Sequence, residues 1–158
     1  MKTLGLCLIF LSSVSIGFLV SHKTKEGAKN LREIIKFINY IKNQIEFFNA
    51  SLEEIYSSYK TDNDTFNNFV NDISEHGWNI ALSTAYNMCL PQRIIQELKN
   101  YSSLLGKSNK DEQLIHNNYY INFFENEYRL LEKSTTEKTK VSISLGIYIG
   151  MMLVILFI

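Results

Sequence analysis

Three histidines, two cysteines and one run of carboxylates are the residues here whose chemistry could make a site. His22, His76 and His116 lie far apart, and none has a second ligand at metal-binding spacing. Each reads as a surface or partly buried histidine. Cys7 and Cys89 are too distant to suggest a disulfide framework or a zinc motif. Cys89, between Met88 and Leu90, reads as a core thiol rather than a nucleophile. No glycine-rich phosphate loop is present, since Gly5, Gly17, Gly146 and Gly150 fall in apolar stretches. No Ser-His-Asp or Cys-His arrangement is recognisable, although such sets need not be close in sequence. The expectation is a non-enzymatic protein without catalytic, cofactor-binding or metal residues.

The carboxylates are the exception. Glu46, Glu53, Glu54, Asp62, Asp64, Asp72 and Glu75 lie within thirty positions in which Lys60 is the one basic residue. The preceding stretch, Lys23 to Lys42, is net positive. Such a polarity serves either as a solvated face or as a docking surface for a basic partner, because complementary potentials steer and orient association. Lys plus Arg (16) equals Asp plus Glu (16), so no net field points to nucleic acid.

The elements that must position these residues follow from hydrophobic period. Leu31, Ile34, Ile38, Ile41, Ile45, Phe48, Leu52, Ile55 and Tyr59 recur at spacings of three and four, which marks one helix face. Packing inside a bundle and a dimeric coiled coil both satisfy that stripe. Ser51 with Glu54 three residues later reads as a capping box and splits the stretch into a long helix and a short one. Thr61 to Thr65 is a turn. A helix carrying Phe66, Phe69, Val70 and Ile73 follows, and Gly77 closes it in a left-handed C-cap. Trp78 opens a further segment with Ala81, Leu82, Ala85 and Met88. Pro91 suits a helix start, and Ile94, Ile95, Leu98, Tyr101 and Leu105 run on to Gly106. Ser108 with Asp111 caps a last helix bearing Leu114, Ile121, Phe124, Tyr128 and Leu131, with a possible break at Ser134 to Thr136. Ile38, Ile41, Ile45, Phe48, Trp78, Leu98, Leu105 and Phe124 are the expected core. No stretch alternates with period two, and one Pro with 7 Gly argues against an all-β fold.

Both ends are apolar. Residues 141–158 carry no charge, and at ~1.5 Å per residue they form a helix of ~27 Å, enough for a thin bilayer core. Residues 3–21 are a second uncharged run. A signal peptide is the alternative there, but no small-residue cleavage pattern precedes His22, and Cys7 comes too early for a lipoprotein box. The expectation is a transmembrane helix at 3–21, a helical domain at 22–140 and a transmembrane helix at 141–158. Lys23, Lys25, Lys29 and Arg32 follow the first run, and Lys133, Lys138 and Lys140 precede the second, which places the middle in the cytoplasm. The fold expected is all-α: a cytoplasmic bundle of five or six helices flanked by N- and C-terminal transmembrane helices.

Several segments together resemble the stage III sporulation protein AB family of endospore-forming bacteria. Leu4-Gly5 through Ile16-Gly17-Phe18, then Leu31-Arg32-Glu33, are similar to the family's first span and helix. Gln44-Ile45 and Ser51-Leu52-Glu53-Glu54 match its Glu-Ile … Pro-Leu-x-Glu segment. Leu105, Gly106, Ser108, Asn109 and Gln113 match its Leu-Gly-x-Ser-Asp-x-x-x-Gln segment. Ser144-Leu145-Gly146, Gly150 and Val154-Ile155-Leu156 resemble its closing span. Gln44, Ser51 and Asn109 depart from the family's Glu, Pro and Asp.

The resemblance implies a helical domain like that of the type II secretion platform protein. It also implies a channel complex between mother cell and forespore, with the protein in the mother-cell membrane around the forespore. The implied partners are a cytoplasmic ATPase, stage III sporulation protein AA, other membrane proteins of the complex, and membrane lipid. Glu46, Glu53, Glu54, Asp62 and Asp64 are the candidate ATPase-docking residues. The alternative is a membrane-anchored regulator or sensor whose helical domain binds a cytoplasmic signalling partner.

Overall fold

A computed structural model describes the backbone of residues 2–157. Side chains are described from position 22 onward, apart from 24, 86 and a scatter of positions after 134. Among the described residues there are six α-helices and no strand. They are α1 (Lys2–Asn43), α2 (Leu52–Ser58), α3 (Asp64–His76), α4 (Trp78–Thr84), α5 (Gln92–Leu104) and α6 (Lys110–Phe157). A π-helical turn, Gln44–Phe48, follows α1, and a 3₁₀ turn, Ala85–Met88, follows α4. The chain forms two compact units. One comprises Met1–Glu26 with Leu130–Ile158, and the other is Gly27–Arg129.

In the first unit, residues 3–21 lie on α1 and 141–157 on α6. Among the described residues no helix is long and apolar enough to cross a membrane. The side chains of 3–21, and of part of 141–158, lie outside those residues. α6 runs through Ser134 to Thr136 without a break.

The second unit is held by the expected faces. Leu31, Ile34, Ile38 and Ile41 of α1 are fully buried, as are Ile55, Phe66, Ile94, Leu98, Tyr101 and Phe124. Burying a side chain of this size stabilises by about 1.5–3 kcal/mol, which is why periodicity predicts the faces well. Phe37 joins the core, although the three-four stripe passes over it. Its ring lies 4.7 Å from that of Tyr59, 5.9 Å from Phe66 and 6.2 Å from Trp78. Trp78 is half-buried, with Nε1 donating to the Tyr56 hydroxyl at 3.0 Å.

Four expectations need correction. Phe48 is not in the core; it is 70 % exposed. The π turn is the reason: its wider i→i+5 bonding sets the later residues back by roughly a quarter turn, so the stripe loses its phase after Ile45. Cys89 is exposed with φ +53°, because the chain turns sharply there between the 3₁₀ turn and Pro91. Gly77 has positive φ but extended ψ (81°, 165°), so it ends α3 and opens α4 without a left-handed helical cap. The cap of α6 is Asn109 rather than Ser108: its Oδ1 accepts from the Glu112 N–H at 2.9 Å. The Ser51–Glu54 capping box is formed as expected.

Candidate partner-docking site

The two middle segments that carry the family resemblance are about fifty residues apart in sequence. They meet at one corner of the second unit. Each is built by a local cap. Ser51 Oγ accepts from the Glu54 N–H at 3.3 Å, and Glu54 Oε2 accepts from the Ser51 N–H at 2.9 Å, which starts α2. Across the corner, Asn109 starts α6, and Gln113 Nε2 donates to the Ser108 carbonyl at 2.9 Å. At Ser51 and Asn109 this chain departs from the family pattern, and both side chains do the capping themselves.

Lys110 joins the two sides. Its Nζ donates to the Glu46 carbonyl and to Asn49 Oδ1, both at 2.8 Å. Asn49 ends the π turn in the left-handed region, φ 49° and ψ 32°, which an Asn tolerates better than most residues. Its side chain then receives the lysine. Gly106, at φ +77°, brings its backbone against Leu52; a Cβ there would stand 2.9 Å from Leu52 Cδ1. Between the two sides is an open cleft of about 440 Å³. Ile45, Asn49, Ala50, Ser51 and Leu52 line one wall, and Gly106, Lys110 and Gln113 line the other. On the same π turn, Phe47 and Phe48 are 69 % and 70 % exposed.

The expected docking carboxylates are arranged around this corner and the next turn. Glu53 and Glu54 share the first turn of α2, both exposed. Asp62 and Asp64 are exposed on either side of the buried Asn63, which caps α3. Glu46 is half-buried on the π turn, and it is its carbonyl, not its carboxylate, that Lys110 binds. Glu54 has a second task. Bonds from the Ser51 backbone and hydroxyl hold its carboxyl below the usual carboxylate range. Glu53, Asp62 and Asp64 stand at the surface.

Sequence reasoning missed Phe47, Phe48 and Lys110. The signal for the aromatic pair was present: consecutive helical residues lie about 100° apart, so two adjacent phenylalanines cannot both face one core. Lys110 gave no signal, because its partners are a backbone carbonyl 64 residues away and a side-chain amide 61 residues away. Among the described residues no group of three His, Cys, Asp or Glu could hold a metal ion.

A family model described as stage III sporulation protein AB matches residues 2–158. No curated protein and no solved structure matches the chain.

Proposed function

Because the chain belongs to the stage III sporulation protein AB family, we propose that it is the platform of a sporulation channel complex, coupling a cytoplasmic ATPase to the channel between mother cell and forespore. In this reading, the uncharged runs 3–21 and 141–158 anchor it in the mother-cell membrane at both ends. The helical unit Gly27–Arg129 faces the cytoplasm and carries the docking surface. The protein itself does no chemistry; it holds stage III sporulation protein AA against the other membrane proteins of the complex.

The observation that carries the docking role is the exposed Phe47–Phe48 pair on the π turn whose Ile45 lines the cleft. Two large aromatic rings left in water on one turn have the character of an interface centre, where aromatic residues supply most of the affinity. Glu53, Asp62 and Asp64 would form the polar rim that steers a basic partner.

The test is capture of stage III sporulation protein AA by the full chain in detergent micelles. Wild type should retain the ATPase. Phe47→Ala with Phe48→Ala should lose most of the binding without lowering the melting temperature, since both rings are already exposed. Equal capture by the double variant would place the docking surface elsewhere.

A further inference from the structure

A second concavity lies on another part of the helical unit, where α3 packs against α4 and the 3₁₀ turn. It measures about 220 Å³. Its apolar surfaces include Phe69, Ala81 and Ala85, all buried. Its polar surfaces include Asn68 and Asn87, which are exposed, and Asp72, which is half-buried. Among the described lining residues, Asp72 is the only ionisable side chain. Its carboxylate accepts one long bond, from Thr84 Oγ1 at 3.4 Å. Neither ion pair within the described part of the helical unit, Lys36–Glu33 or Arg93–Glu127, involves it.

The helix that supplies Asp72 is acidic on that side. Asp64, Asn68, Asp72 and Glu75 recur at i, i+4, i+8 and i+11, which is one face of a helix of 3.6 residues per turn. The opposite face, Phe66, Val70 and Ile73, is buried. A cation approaching α3 therefore meets a line of negative charge with one recess in it.

We infer that this recess receives the guanidinium of an arginine carried by a protein partner. The apolar surface suits the methylene stem of a long cationic side chain. The carboxylate of Asp72 and the amide oxygens of Asn68 and Asn87 accept from a planar fork of five N–H donors, which a lysine ammonium does not provide. The inference rests on the docking reading for the identity of the partner. The preference of the pocket itself is measured without that partner, so the two fail separately.

The chain has alanines at 28, 50, 81 and 85, and two of them line this pocket. Full-length protein with ¹³C-labelled alanine methyls, in detergent micelles, is titrated with Nα-acetyl-arginine amide. The lysine and norleucine amides serve as comparisons. The Ala81 and Ala85 signals should move saturably with the arginine compound and not with norleucine, while Ala28 and Ala50 stay in place. Asp72→Asn should weaken the arginine response by about tenfold, the loss of one charge-assisted contact. Unchanged Ala28 and Ala50 signals in that variant report an intact fold. Equal responses to arginine and lysine, or to arginine and norleucine, would overturn the assignment. So would an Asp72→Asn protein that binds the arginine compound as wild type does.

Discussion

Asn63 Nδ2 donates to Asn30 Oδ1 at 3.0 Å, and both residues are buried. The bond ties α1 to the residue that caps α3, thirty-three positions later. Asn30 uses its other end as well: Nδ2 donates to the Met88 carbonyl at 3.0 Å. One side chain thus satisfies two groups from two other elements. Replacing it with Ala leaves both unpaired away from water, at about 1–3 kcal/mol each. Thermal melting of the full chain, followed by circular dichroism, should show a clear loss for Asn30→Ala. A double-mutant cycle with Asn63→Ala should show strong coupling. Additive losses would mean that the bond contributes nothing of its own.

Two glycines are required by close approach. Gly27, within α1, is pressed against the Cys89 carbonyl, and a Cβ there would run into backbone. At Gly106 the obstacle is the end of the Leu52 side chain, with φ +77° adding strain for any other residue. Gly27→Ala should therefore destabilise more than Gly106→Ala, because a side chain can turn aside and a carbonyl cannot. Adding Leu52→Ala to Gly106→Ala should recover only part of the loss. Full recovery would show that φ strain is negligible there.

Acid should weaken the helical unit in two stages. Burial lowers the His116 pKa below 6.5, against a bond to the Tyr101 backbone that raises it. Nε2 is buried without a hydrogen-bond partner, and the ring stacks on Tyr101 at 5.9 Å. The unfolded chain takes the proton first, so stability present above pH 6.5 is lost as pH falls through the folded value. At Glu33, burial pushes the carboxyl up, but bonds from Lys36 and Thr61 and the charges of Lys36 and Arg32 outweigh it, leaving the pKa below 4.5. Its stabilisation is present above 4.5 and disappears as pH falls through the lower folded value. Melting temperature against pH should fall less steeply below 6.5 in His116→Phe, and less steeply below 4.5 in Glu33→Gln. Parallel curves for wild type and variant would count against the group concerned.

Charge reversal at the docking rim separates steering from folding. Glu53→Lys with Asp62→Lys should slow association with stage III sporulation protein AA at low salt and have little effect at high salt. Glu54 is left out because its carboxylate caps α2 through Ser51. Stopped-flow association rates at two salt concentrations decide the matter; identical low-salt rates would make the rim a merely solvated face.

A cytoplasmic position for the helical unit predicts that Ser103, which is exposed on α5, is unreachable from outside the cell. A single cysteine there, after Cys7 is replaced by Ser and Cys89 by Asn, should not react with an impermeant thiol reagent in intact cells and should react after lysis. Asn suits position 89 because φ is +53° there. Strong labelling of intact cells would reverse the topology.

The helix faces were legible from spacing alone. Leu31, Ile34, Ile38, Ile41, Phe66, Ile73, Leu98 and Phe124 repeat with the period of a helix, and burial of apolar area is local enough to be written in that period. The Ser51–Glu54 cap was legible for the same reason, since its partners are three residues apart. The acidic stretch was legible as composition, and the family as a set of motifs along the chain. Tertiary structure alone decided what depends on distant partners or on one shifted turn. The π turn at Gln44–Phe48 changed the phase of the stripe, moved Phe48 from the expected core into water, and left Asn49 to be held by Lys110 from the start of α6. Asp72 became the charged group of a recess only because α4 and the 3₁₀ turn fold against α3. A sequence period describes one helix at a time, whereas a cleft is made by the surfaces that two helices leave between them.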